Sequence, residues 1–137
     1  MNQNEFVQKF KSYLNTESER LEHQVKQLKS ESREDEYKFA QIELNIVDIF
    51  SKMFEISYKK ISNLDQWAQP LKEHYLSYFT RIPASWKLNL EECKQHGLDD
   101  EVYIETLKLN KAESIKHHFL LLLDQSQSEG ATKWKKV

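Results

Sequence analysis

Cys93 and His96 stand three residues apart, and His117 and His118 stand side by side ahead of the apolar run Phe119-Leu120-Leu121-Leu122-Leu123. These are the side chains with which this chain could do chemistry. On a helix, positions i and i+3 share a face, so an imidazole at His96 could activate a thiolate at Cys93, or the two could share a metal ion. The structural reading of the same pair is a cysteine packed in a helix. His96 then sits near the helix C-terminus, where the dipole favours positive charge. His117 and His118 project about 100° apart on a helix and cannot both face one ligand. A metal there would need His74 or His23 brought across from another helix. His118 lies beside the Ile115, Phe119 and Leu122 stripe, whereas His117 lies one turn from Glu113 and suits a surface pair.

Several chemistries are excluded by what the chain lacks. The residues three places before the five histidines are Arg20, Leu71, Cys93, Ser114 and Ile115. The Glu-x-x-His pairs of carboxylate-bridged di-iron bundles are therefore absent. The single Cys93 leaves no internal disulfide and no Cys-pair zinc site. With only two glycines, Gly97 and Gly130, no glycine-rich phosphate cradle can form. There is also no Gly-x-Ser-x-Gly elbow. No catalytic residue, metal ligand or cofactor is assigned on this basis.

Two clusters point instead to binding. Trp67, Tyr75, Tyr78, Phe79 and Trp86 gather around Pro70 and Pro83. They either seal the end of a core or line a pocket at an irregular turn. The run Phe119–Leu123 covers a full helical turn, more than the third to half of the circumference that one core face uses. Part of it needs cover from another segment, a second copy or a partner, and Leu120, displaced from the main stripe, is the residue expected there. His118 would rim that patch. Trp67, Tyr75, Trp86, His118 and Leu120 are thus the candidate binding residues. Trp134 in the segment Thr132–Val137 offers only a short basic-aromatic patch toward an anionic surface.

The elements that must position these residues are helical. Two glycines and two prolines in 137 residues argue against a turn-rich β fold. A first helix is expected from about Asn4 to Ser30, with a one-sided stripe through Phe6, Val7, Phe10, Tyr13, Leu14, Leu21, Val25 and Leu28 that skips at Glu17 and Ser18, where packing should thin. Ser32 and Asp35 suggest a loose cap for a second helix from Glu34 to Ser62. Its seam of Phe39, Ile42, Ile46, Ile49, Met53 and Ile56 is heptad-like, and Val47, Phe50, Phe54, Tyr58 and Ile61 widen it, as befits a central helix. A third helix starts near Pro70, breaks or kinks at Arg81-Ile82-Pro83, and resumes from Ala84 to His96 before Gly97 stops it. Asp99 caps a fourth, with Leu98 as a staple, running to about Gln125. Residues 126–137 form a polar, then basic tail expected to be mobile.

Four rods of similar length joined by short links give an all-α, antiparallel up-down-up-down four-helix bundle over residues 1–125, with a long hairpin plus a small helical lobe as the alternative. Net charge −2 gives no reason to expect nucleic-acid binding. No apolar run is long enough for stable membrane insertion. A lone thiol with no signal peptide suits the cytoplasm. The function expected is a non-enzymatic one: binding a protein partner, or self-association as a homodimer. The alternative is a small-molecule or metal-binding enzyme whose site lies between the third and fourth helices and uses His74, Cys93, His96 or His118.

Overall fold

The computed structural model describes the backbone of residues 1–135 and the side chains of residues 1–127. Its elements are α1 (Gln3–Ser30), α2 (Glu34–Ile61), α3 (Ala68–Arg81), α4 (Ala84–Gln95) and α5 (Asp99–Lys135). They make the four rods of an antiparallel bundle, all helical among the described residues, with the third rod broken into α3 and α4. At the break the Ile82 amide closes α3 on the Tyr78 carbonyl at 3.0 Å, and the Pro83 carbonyl receives the first amide bond of α4, from Lys87 at 3.0 Å. Proline lacks the amide that would have continued the first helix, and its own carbonyl starts the second. α3 packs on both α2 and α5, whereas α4 packs chiefly on α5.

Local chemistry sets the helix ends. The Asn2 side chain accepts from the Glu5 amide at 2.8 Å and starts α1. Both tight connections are the same motif. After α4, Gly97 takes φ +65° and the Leu98 amide returns to the Cys93 carbonyl. After α1, Ser32 takes φ +59° and the Arg33 amide returns to the Leu28 carbonyl. The left-handed residue lets two amides satisfy carbonyls at the helix end. Ser32 is thus a stop for α1 and not the cap of α2, whose preceding residue, Arg33, makes no side-chain cap bond. Asp99 is likewise the first residue of α5 and not its cap, and α3 begins two residues before Pro70.

The fourth rod is longer than its apolar stripe implied. α5 runs past Gln125 to Lys135, so at about 1.5 Å per residue it is near 55 Å long. Ser126 is buried and bonds back to the Leu123 carbonyl at 2.6 Å, which carries the helix beyond the expected boundary. The side chains of 128–137, Trp134 among them, and with them the mobility expected of that tail, lie outside the described residues.

The core is unequal along the bundle. At the end formed by the start of α1, the end of α2, α3 and the later part of α5, Phe6, Phe10, Phe50, Phe54, Tyr75 and Phe119 have no exposed surface. Phe10 meets Phe54 edge-on at 4.7 Å, Tyr75 meets Phe119 at 4.8 Å, and Phe50 stacks on Phe79 at 4.1 Å. At the other end, where α1 turns into α2 and α4 into α5, the buried set is Leu21, Leu28, Ala40, Cys93 and the carboxylate of Glu105.

Candidate functional site

The five residues expected to bind are dispersed. Tyr75 is fully buried in the aromatic core, and its hydroxyl donates to the Phe50 carbonyl at 2.9 Å. It braces α3 on α2 and has no surface to offer a ligand. Trp67 is also buried, packed on Phe6 at 5.3 Å, with only an edge on a shallow cleft of about 780 Å³ beside Pro70, Leu123 and Asp124. Trp86 sits on α4 with the Lys108 ammonium 5.8 Å from its ring centroid. His118 lies flat on Tyr13 of α1 at 3.7 Å. Leu120 packs partly buried against the core, and Leu121 is the member of the run that faces out, 48% exposed. The apolar run is therefore largely covered from within: Phe119 and Leu123 are buried, and Leu120 and Leu122 are packed against the core.

The histidines and the thiol face different helices. His74 Nδ1 is 2.9 Å from the Ser57 hydroxyl, a spacing that suits a base and its nucleophile. Ser57, however, has no exposed surface, so no substrate reaches it; the pair satisfies a polar group buried between α2 and α3. Burial, with the positive charges of Lys60 and Arg81, holds His74 below the ordinary histidine value. Cys93 is buried against α5. Burial and the carboxylates of Glu101, Glu105 and Glu92 push its thiol up, which makes it a poor nucleophile. His96, its i+3 neighbour, ends α4 as an exposed cap. Among the described residues no three His, Cys, Asp or Glu side chains form a group that could hold a metal.

At the waist of the bundle lies an ion pair. Glu17, where the α1 stripe skips, receives the buried Lys111 ammonium at 2.8 Å and the Arg20 guanidinium at 2.8 Å. Arg20 first, and Lys111 with it, lower the Glu17 carboxyl to about 2 against the cost of burial. The expected thinning is thus an ion pair at the edge of a core that continues past it, since Leu21 packs in the same cluster as Phe6 and Phe10. His118 lies one turn away; burial and His117 lower it, and Glu17 opposes them.

An apolar surface that joins two helices lies at the polar end, apart from single exposed side chains such as Leu88 on α4. The Phe39 and Tyr103 rings meet at 4.7 Å, tilted by 54°, across the starts of α2 and α5. With Ile104 they floor a cleft of about 440 Å³ whose walls are Asp35, Lys38, Asp99 and Asp100. Tyr103 is 53% exposed and Leu98, at the adjoining turn, 45%. Neither residue had been singled out for binding. Phe39 reads in sequence as the first position of a seam, and Leu98 as a staple. One signal was present: the two helices open alike, with three acids followed within three residues by a large apolar side chain, Glu34-Asp35-Glu36 before Phe39 and Asp99-Asp100-Glu101 before Tyr103 and Ile104. In an up-down-up-down bundle the second and fourth rods start at the same end, and because α2 packs on α5 these openings meet.

No known protein family, curated protein or solved structure matches this chain. The surface itself therefore carries the functional argument. Among the described residues no helix is long and apolar enough to cross a membrane. The acids are accounted for in part by the helix dipoles they face. The exposed rings between them have no such local role.

Proposed function

We propose that this protein works by binding another protein without catalysis, and that the docking end is the one where α2 and α5 begin. The observation that carries this reading is the exposure of Tyr103 and Leu98 beside the half-buried Phe39, where the starts of α2 and α5 bring two rings together over a cleft. Aromatic side chains on preordered backbone bury much area at little entropic cost, and they anchor protein interfaces accordingly. A second copy of the chain would meet the same patch, so self-association belongs to this reading as one of its forms. A cytoplasmic setting belongs to it too, in keeping with the single, buried thiol of Cys93.

The test is quantitative affinity capture from the native cell with the wild-type chain and with Tyr103→Asp, alongside light scattering of each purified protein. The expected result is a defined partner, or a dimer, that is depleted several-fold by Tyr103→Asp while the thermal melt shows the variant folded. Identical capture and identical mass for the two proteins sink the reading.

A further inference from the structure

The cleft between Phe39 and Tyr103 has a chemical preference that narrows the partner. Its floor is apolar, made by the two rings and Ile104. Its walls carry the carboxylates of Asp35, Asp99 and Asp100 against the single ammonium of Lys38. The neighbouring acids Glu31 and Glu36 are engaged, both paired with Arg33. No ion-pair partner is found for Asp35, Asp99 or Asp100 among the described residues. The sides of the cleft thus keep a net negative charge, three carboxylates against one ammonium at two helix N-termini, and its floor is aromatic, with about half of Tyr103 exposed.

We infer that this cleft receives an arginine carried on an extended or helical segment of a partner protein, flanked by an aliphatic side chain that meets Leu98 and Ile104. The guanidinium lies on the Tyr103 ring and its N–H groups reach Asp99 and Asp100. A guanidinium fits both demands because it is planar, stacks on aromatic rings and donates in a fork that matches a carboxylate. A lysine would meet the charge but not the plane. A nucleic-acid backbone would meet repulsion from three carboxylates. The flanking aliphatic contact follows from the exposure of Leu98 next to the cleft. This inference rests on the docking end proposed above, and it adds the chemistry of what docks there.

The experiment is fluorescence anisotropy of the full chain with a labelled peptide of alternating arginine and leucine, at low and at moderate salt. The comparison peptides carry lysine or glutamate in place of arginine. Amide chemical-shift mapping locates the binding, and thermal melts confirm that each variant folds. The expected order of affinity is arginine over lysine, with no binding by glutamate. Perturbations should centre on Phe39, Tyr103 and Ile104. Tyr103→Ala and the double variant Asp99→Asn with Asp100→Asn should each weaken arginine-peptide binding by about three- to ten-fold, the span that one cation–π contact or two exposed ion pairs provide. The double variant should also flatten the salt dependence. The inference is overturned if the glutamate peptide binds equally well, if the arginine peptide does not bind, if its shifts map to another face, or if the folded variants bind unchanged. Loss of a cellular partner in Tyr103→Asp, without any arginine-peptide binding, removes the cationic chemistry and leaves the docking end standing. Failure of both removes both.

Discussion

Between Phe6, Phe10, Phe54, Tyr75 and Phe119, at one end of the bundle, rings from four helices fill the interior and none is exposed; between Leu21, Leu28, Ala40 and Cys93, at the other, the same four rods are held by smaller groups and enclose the Glu105 carboxylate. The rod geometry is the same, but the two ends do different things with their apolar side chains. The aromatic end places its rings in the core, where each excludes water and touches several others, and the large apolar side chains it exposes are aliphatic: Ile56, Leu64 and Leu121. The polar end leaves Phe39, Tyr103 and Leu98 at or near the surface and puts a charge inside. One helical architecture can therefore close its rings inside at one end and leave them half open at the other. The Glu17–Lys111 pair lies between them at the waist.

This contrast can be broken or sharpened by measurement. The largest effect is expected from Phe119→Ala, which empties the centre of the ring cluster. Deleting a fully buried phenylalanine costs about 3–5 kcal/mol, and urea unfolding should register it as a lower midpoint with an unchanged slope. A loss under about 1 kcal/mol would show that the aromatic end is not the stability centre.

Next in size is the waist. The Glu17 carboxyl titrates at about 2 when folded, below its value of about 4.3 in an unfolded chain. A depressed carboxyl contributes stability that is fully present above the unfolded value and is lost as pH falls through the folded one. Stability should therefore drop between about pH 4.5 and pH 2, with about 2–3 kcal/mol of that drop absent in Glu17→Gln. That variant should itself be destabilised at pH 7, because Lys111 is left buried without its carboxylate. Superimposable pH profiles for the two proteins would remove the waist as a stabilising contact.

A smaller effect, of opposite sign, is expected at the polar end. Glu105 is 6% exposed; one of its oxygens holds Lys108 at 3.0 Å and the other, Oε2, has no partner among the described residues. Glu105→Leu replaces a half-satisfied carboxylate by an apolar side chain and should raise stability by up to about 1 kcal/mol, read as a higher melting temperature. Destabilisation by more than that would show the carboxylate to be held by more than Lys108. A comparably small effect, of destabilising sign, is expected from Tyr103→Ser, which should lower stability by about 1 kcal/mol or less because half of the residue is exposed and its ring contact is with Phe39. If the same change abolishes partner binding, the two ends are separated in role as well as in composition.

The fold was largely legible. The stripe from Phe6 to Leu28, the central position of the second helix, the break at Pro83 and the stop at Gly97 all follow from periodicity and from residues with restricted or permissive backbones. Ser32 was not legible as a helix stop, because serine signals a cap more often than a left-handed turn, and only the chain's return to antiparallel packing forces that conformation on it. The end of α5 was missed for a related reason. The apolar stripe fades at Leu123, but Ser126 is still buried and no glycine or proline interrupts the backbone before Gly130.

The candidate site was less legible than the fold. Periodicity tells which face of a helix is apolar, but not how completely its neighbours cover that face. The sequence offers Tyr75 and Leu120 as available, but α3 and the core enclose them; it makes Phe39 a seam position and does not mark Tyr103, yet Tyr103 stands open. The sequence by itself determined the four rods, their order and the acids at the openings of α2 and α5, since these depend on neighbours a turn or less away along the chain. Only the tertiary structure decided that α4 leans on α5 and that Lys111 comes across to Glu17. The same is true of the two rings that face each other over an uncovered cleft, because burial and exposure depend on distant segments whose meeting no local pattern specifies.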